Sequence, residues 1–340
     1  MQVGLNAAYK GVLKSGRNYP TIAFDSNSTS FVSFSQQKYN KNIIIIEQQT
    51  MALLKLFEQD LFKALKHATL YPSMGHKEST AQYTLGIEDD LLTNDRFFLE
   101  ELVAESAVID NEAYMSFKSS IENTKYPMRP FYKTIARNLF THIASIKSIT
   151  TTSETGSADL GLNILNHDFK DTTKSVFQKL SVSFEKDEDN SEELLKELIE
   201  DLRKSDILVL MGLGRTEGSL NVLLPDLYTI WNSFQQNHHP KSKLTVGARA
   251  LTKHSHRSSE LFWGVCTGKE ETKNAHALEI LVKILKDCSW INIHTLPHQT
   301  YVLEMRSSAG YGLRWKHDGT MFRGFLEPQM ENGHEVGWKH

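Results

Sequence analysis

Gly312-Leu-Arg-Trp-Lys-His-Asp-Gly-Thr-Met-Phe-Arg-Gly-Phe-Leu326 is the stretch on which the fold turns. Asp318-Gly319 is a tight-turn signal, and the runs on either side, Gly312 to Trp315 and Thr320 to Leu326, read as strands. With Tyr301 to Arg306 they predict an antiparallel hairpin near the end of the chain. Upstream, Ala275, Leu278, Leu281, Val282 and Leu285 recur at three- and four-residue intervals between Thr272 and Lys286, one apolar face of a helix that should pack on the sheet. Farther back, Asp206-Ile-Leu-Val-Leu-Met211 has the aliphatic, unalternating character of a strand covered on both faces. A helix from Pro225 to about Gln236 and a strand over Lys243 to Arg249 follow. Strand, helix and strand in that order predict a right-handed βαβ crossover.

Toward the N-terminus the pattern turns helical. Met51, Leu54, Phe57, Leu61 and Leu65 lie at helical spacing in a segment spanning 47–68. Similar patterns cover Asp95 to Ile109, Glu112 to Ile121, Phe131 to Ile146, and a helix whose one face is Leu194, Leu195, Leu198, Ile199 and Leu202. Thr21 to Phe24 and Ser30 to Ser35 read as strands about the turn-prone Asp25-Ser-Asn-Ser28, and Ile43 to Ile46 as a further strand. Residues 148–160 read as a surface loop, and the acidic run 185–190 as a solvated linker capping the next helix. The expected class is α/β, with mixed α+β as the alternative. A mostly helical domain with a short β-hairpin would occupy 1–187, and an α/β domain with a βαβ unit and an antiparallel hairpin would occupy 188–340.

A chain of 340 residues has room for two domains of ordinary size. No apolar run approaches the roughly 18–20 residues a membrane helix needs, and no secretory h-region follows the first lysine. A soluble intracellular protein, cytoplasmic or nuclear and without a membrane partner, is expected. Cys266 and Cys288 lack CxxC spacing and read as reduced packing residues. Charge is uneven: residues 241–340 carry 14 basic and 10 acidic side chains, a balance of +4, against −7 for residues 1–240. The C-terminal part could therefore face an anion.

Ten of the fourteen histidines fall between His238 and His340, which concentrates the candidate chemistry there. In Lys253-His-Ser-His-Arg257, a strand would place His254 and His256 on one face, as two ligands of one metal. The flanking Lys253 and Arg257 oppose a cation and suit phosphate or carboxylate better. A second cluster, His294 and His298 leading to Glu304 and Arg306, puts a carboxylate and a guanidinium at strand spacing. The glycine loop Met211-Gly-Leu-Gly-Arg-Thr-Glu-Gly-Ser219 departs from both the Walker and the dinucleotide patterns and reads as a structural turn, so no cofactor-binding residue is assigned. Two His-x-Thr elements, at His67 and His298, and a Lys-x-Asp-Gly element at Lys316 are too short or too late in the chain to carry the chemistries they suggest.

Gly310-Tyr-Gly-Leu-Arg-Trp315, Asp318-Gly319, Phe322-Arg-Gly-Phe-Leu-Glu-Pro328, Asn332-Gly-His334 and Trp338-Lys-His340, together with Val246-Gly-Ala-Arg-Ala250, Lys253-His254, His256-Arg-Ser-Ser259 and Trp263-Gly264, resemble a eukaryotic family of uncharacterised activity. The resemblance covers roughly the last hundred residues. It implies no activity, substrate or catalytic residue, only that the C-terminal segment is a unit ending at or near His340.

Three functional readings follow. The first is a hydrolase or transferase on a phosphorylated or otherwise anionic substrate, with His254, His256, His294, His298 and Glu304 as acid, base or orienting groups. Arg249, Lys253, Arg257, Arg306, Arg314, Trp315 and His334 would bind its substrate. The second is a non-catalytic module for nucleic acid or protein, with Trp263, Trp315 and Trp338 as stacking or anchoring groups and the helical N-terminal half open to a protein partner. The third is a metal held by His254, His256, His294 and His298, with Asp318 or Glu304 as a further ligand. Against all three stands plain packing of these residues in a small domain. Convergence of the imidazoles and guanidiniums on one cavity would decide among them.

Overall fold

Trp290-Ile-Asn-Ile-His-Thr-Leu296 alternates polar or aromatic with aliphatic residues, and in the computed structural model it lies in the first strand of a four-stranded sheet. The structure describes residues 31–70, 91–122, 124–151, 164, 166–186, 190–255 and 262–329. Among them ten helices precede the sheet: α1 (Phe31–Leu70), α2 (Arg96–Val103), α3 (Glu112–Ser120), α4 (Phe131–Thr151), α5 (Asp171–Lys186), α6 (Ser191–Asp201), α7 (Lys204–Leu210), α8 (Leu227–Gln235), α9 (Val246–His254) and α10 (Glu270–Lys286). The strands are β1 (Cys288–Leu296), β2 (Thr300–Ser307), β3 (Gly312–Lys316) and β4 (Phe322–Leu326). The chain is thus of mixed α/β class. None of the described helices is long and apolar enough to cross a membrane.

The sheet is a meander in the order β1-β2-β3-β4, antiparallel throughout. Side chains alternate between its faces. Ile291 and Ile293, Leu303 and Met305, Leu313 and Trp315, and Phe322 and Phe325 enter one buried core. That face is covered by α8, α9 and α10. The same core continues through Leu208, Leu210 and Leu213 to Leu139, Leu99 and Phe57 of the N-terminal helices, where α1 packs on α2, α4 and α6. Short helix N-termini are closed by side chains: Asp95 accepts from the Phe98 N–H, Asn111 from Tyr114, Asp226 from Tyr228 and Thr245 from Ala248.

The predicted strands β2, β3 and β4, the turn at Asp318-Gly319 and the helices at 47–68, Glu112, Phe131, Leu194, Leu227 and Thr272 are present, with end points shifted by a few residues. The βαβ unit is not. Asp206 to Met211 belongs to helix α7 and its C-terminal end, wholly buried from Asp206 onward. A short aliphatic run without period fits a buried helix as well as a buried strand. Asp206 decides for the helix by accepting from the Arg203 backbone N–H at 2.8 Å, and it also takes the Arg203 guanidinium and His167. Lys243 to Arg249 is not a strand either, because the Thr245 cap starts α9 there. His254 consequently lies on a helix, which removes the strand geometry expected for His254 and His256. Ile43 to Ile46 and residues 31–35 are helical within α1, so the expected strands there are not formed despite their β-branched residues. The predicted helix from Asp95 stops at Val103, and α4 runs on to Thr151, into the expected loop. Thr21 to Phe24, residues 152–160 and 187–189 lie outside the described residues.

Helix α9 approaches α8 so closely that a Cβ on Gly247 would sit 2.2 Å from ring carbons of the buried Phe234. Gly247→Ala adds helix propensity of up to about 1 kcal/mol. The overpacking it forces costs about 1–3 kcal/mol, and Phe234 cannot yield because Phe322 and Phe325 press on its ring. A net loss of stability in urea denaturation is the expected result; an unchanged midpoint would show that α8 and α9 can separate freely.

Candidate functional site

The register of the sheet sets one residue of each strand side by side on the face away from the core: Asn292 opposite Glu304, Glu304 opposite Arg314, and Arg314 opposite Gly324. The neighbouring rows add Trp290 opposite Arg306 and His294 opposite Val302, which faces Lys316. Four groups distant in sequence thereby share one surface: His294, Glu304, Arg306 and Arg314.

Glu304 is only 3% exposed and is held from three sides. Its Oε1 accepts from Arg306 Nε at 2.6 Å, and its Oε2 accepts from Arg314 Nε at 3.0 Å and Nη2 at 2.8 Å. His294 Nε2 lies 3.6 Å from Oε2, too long for a hydrogen bond, so its influence there is electrostatic. Burial by itself raises the carboxyl, but His294, Arg306 and Arg314 outweigh it and hold it down at about 2. Glu304 is therefore an anion at all working pH values. It fixes guanidiniums rather than moving protons. Arg306 is further tied by Nη1 to the carbonyls of Gly310 (2.7 Å) and Glu327 (2.9 Å).

The edge of β1 is closed by the glycine loop that follows α7. The Gly214 N–H donates to the Ile291 carbonyl, Leu220 to Ile293, and Thr295 to Gly218. Gly214 is required, since a Cβ there would lie 2.1 Å from the Trp290 indole. The Gly214 amide is thus spent on the sheet, and those of Thr216 and Ser219 are spent within the loop's own turn. The loop contributes Thr216 and Ser219, whose hydroxyls accept from Asn292 Nδ2 at 3.2 and 2.8 Å. Asn292 is fully buried, yet its Oδ1 finds no hydrogen-bond partner among the described residues, and neither does the buried His294 Nε2. Two buried polar atoms without a hydrogen bond, two residues apart on one strand face, set this row apart from the rest of the sheet, and the His294 Nε2 still faces the Glu304 carboxylate at 3.6 Å.

The other expected residues lie elsewhere. His254 Nε2 is 2.8 Å from Glu327 Oε1, which also accepts from Trp263 Nε1 at 2.8 Å. His254 packs on Trp263 and Phe325, on the core side of the sheet and away from His294. His298 is exposed on the β1–β2 tip. Arg249 and Lys253 are exposed on α9, and Arg249 Nη1 reaches only His238, at 3.5 Å. Trp315 is no stacking platform: it is fully buried and donates to Ser233 Oγ. Trp263 is buried as well. The single cavity expected for all the imidazoles and guanidiniums is thus divided. His256, Arg257, His334 and Trp338 lie outside the described residues. Among the described residues no three His, Cys, Asp or Glu side chains are grouped to hold a metal, and His254 and His294 are too far apart in the fold to share one. Asn292, Thr216 and Ser219 carry no role on sequence grounds, because no strand is expected where β1, Cys288–Leu296, lies. The alternation of Trp290, Asn292 and His294 with Ile291 and Ile293 is the signal that reveals it.

One comparison bears on this surface. A family model described as the CdiA C-terminal tRNase toxin domain matches residues 234–327. The matched segment is similar to that domain over about a quarter of the chain, from within α8 to just beyond β4, and it contains His294, Asn292, Glu304, Arg306 and Arg314. No curated protein and no solved structure matches.

Removing one partner from a buried ion cluster leaves the others uncompensated, at a cost of about 3–5 kcal/mol. Glu304→Gln is expected to lower the melting temperature accordingly. Because its folded-state pKa is depressed, the wild-type carboxylate contributes fully above about 4.5 and its contribution fades as pH falls toward 2. The stability gap between wild type and Glu304→Gln should therefore close over that acid window, as followed by thermal melts at stepped pH.

Proposed function

We propose that the C-terminal unit is a ribonuclease that cleaves a phosphodiester of tRNA on the polar face of the sheet. The observation that carries this reading is the row Asn292, Glu304 and Arg314 with His294 beside it, inside the segment similar to a tRNase domain. The expected hydrolase or transferase on an anionic substrate becomes, in this reading, an enzyme for phosphodiesters.

Each group has a role suited to its setting. Glu304 locks Arg314 in a two-point grip through Nε and Nη2, so the guanidinium is preorganised where negative charge gathers on phosphorus. His294 accepts the proton of the ribose 2′-hydroxyl as that oxygen bonds to phosphorus. The P–O5′ bond breaks, the 5′-oxygen takes a proton from water, and a 2′,3′-cyclic phosphate remains. Asn292, fully buried and steadied by Ser219 and Thr216, is a positioning residue. Arg306, spent on two carbonyls and on Glu304, is a positioning residue. A tRNA substrate is met inside cells, in keeping with two free, unpaired cysteines.

Incubation of the purified full chain with total tRNA should give discrete fragments ending in cyclic phosphate. His294→Ala should lower the rate by about 100-fold or more; because His294 also lies 3.6 Å from the buried Glu304 and packs on Trp290, circular dichroism should be used to confirm that the variant is folded. Arg314→Ala should act likewise on rate. Intact tRNA after prolonged incubation with the wild type, or full activity in His294→Ala, would end this reading.

A further inference from the structure

Where the polar face ends, an open groove of about 350 Å³ runs between the β1–β2 and β3–β4 tips, lined among others by Gln299, Thr300, Tyr301, Lys316, His317 and Arg323. That volume lies in the range of small-ligand sites, roughly 300–1,000 Å³. The groove adjoins the candidate site along β3, because its Lys316 follows Arg314 by two residues on the same face, about 7 Å farther along.

A bulge brings in a third cation. Arg314 pairs with Gly324 and Trp315 with Phe322, so Arg323 is an extra residue in β4. Phe322 and Phe325 both enter the core, which leaves Arg323 and Gly324 together on the polar side. Arg323 is exposed and forms no ion pair with any described residue. A Cβ on Gly324 would meet nothing within 4 Å, so open space lies over β4 beside Arg314. Lys316 is paired with Asp318 at 2.6 Å, but the pair is on the surface and exchanges partners at little cost. Arg314, Lys316 and Arg323 thus form a basic lane leading from His294 into the groove.

The groove floor is preformed. The His317 N–H donates to the Tyr301 carbonyl, tying one hairpin tip to the other, and the two rings stand edge to face at 6.0 Å. His298 and Gln299, at the rim, both have positive φ, 64° and 56°, a conformation uncommon outside glycine. A base can meet the Tyr301 ring here only if it is unstacked from its own helix.

We propose that this groove is the subsite for an unpaired nucleotide flanking the cleaved phosphate, with its phosphate against Lys316 and Arg323 and its base against Tyr301. The proposal rests on the ribonuclease reading and adds a substrate preference: cleavage within a single-stranded loop, not within a stem.

Binding of the full chain to a fluorescent single-stranded 2′-O-methyl oligoribonucleotide, which cannot be cleaved, tests the groove apart from catalysis. Wild type should bind it more tightly than the same sequence as a duplex. Arg323→Ala should reduce the slope of log affinity against log salt by about one, and Arg323→Lys should restore it. Tyr301→Ala should weaken binding about tenfold with the salt slope unchanged. In tRNA cleavage, both alanine variants should raise KM and leave kcat within about twofold. Equal affinity and equal salt slope in wild type and Arg323→Ala, or a preference for duplex, would overturn the groove assignment even if tRNA is cleaved. Binding with the expected slope change but no cleavage by the wild type would instead overturn the ribonuclease reading and keep the groove as a single-stranded RNA site.

Discussion

The carboxylate of Glu304, buried between the guanidiniums of Arg306 and Arg314, is the contact on which the polar face depends. Burying three charges carries a desolvation cost of several kcal/mol per ion, repaid only when the geometry is good and the remaining donors are used. Both conditions hold. Arg314 grips one oxygen through two nitrogens, Arg306 grips the other, and Arg306 spends its remaining reach on the carbonyls of Gly310 and Glu327. One anion therefore joins β2 to β3 and, through Arg306, pins the β2–β3 turn and the end of β4. Replacement by apolar residues could stabilise the sheet as well. What apolar residues could not supply is a partly exposed guanidinium held in one orientation.

That rigidity is useful because the sheet has two unlike faces. On one, Ile291, Leu303, Met305, Leu313, Trp315, Phe322 and Phe325 join the core under α8, α9 and α10 and supply the stabilisation that anchors the strands. On the other, the same strands present Asn292, His294, Glu304, Arg314 and Lys316. The period of two that sends one set into the apolar core sends the other to the opposite face. The hydrophobic core thus fixes the register, and the register fixes which polar groups meet.

The helical N-terminal part reaches this face through one segment. Helix α7 is held by Asn138 of α4, whose Nδ2 donates to the Leu210 carbonyl. Beyond the glycine loop, Tyr126 donates to the Pro225 carbonyl and Ser106 to Asp226. The loop between these anchors closes the β1 edge and delivers Thr216 and Ser219 to Asn292. The helices thus act on the site as a scaffold for its wall, with no side chain of α1 to α6 reaching the row itself among the contacts described.

The sequence by itself determined the parts of the fold that carry a period: the apolar stripes of α1 beyond residue 50, α8 and α10, the strands β2 to β4, and the turn at Asp318-Gly319. It also marked His294, His298, Glu304 and Arg306 as one polar cluster and Arg314 as a separate substrate-binding candidate. Tertiary structure decided the rest. Asp206 to Met211 is aliphatic on every side, so no periodicity separates helix from strand, and a single carboxylate cap, Asp206, tips the balance. Thr245 does the same for α9. Trp315 and His254 have the composition of site residues, yet packing assigns one to the core and the other to a clamp with Glu327 and Trp263. Asn292, Glu304 and Arg314 stand ten or more residues apart along the chain and meet only because backbone hydrogen bonds between strands set the register. Side-chain chemistry is written locally, but adjacency across a sheet is a long-range property of the whole core.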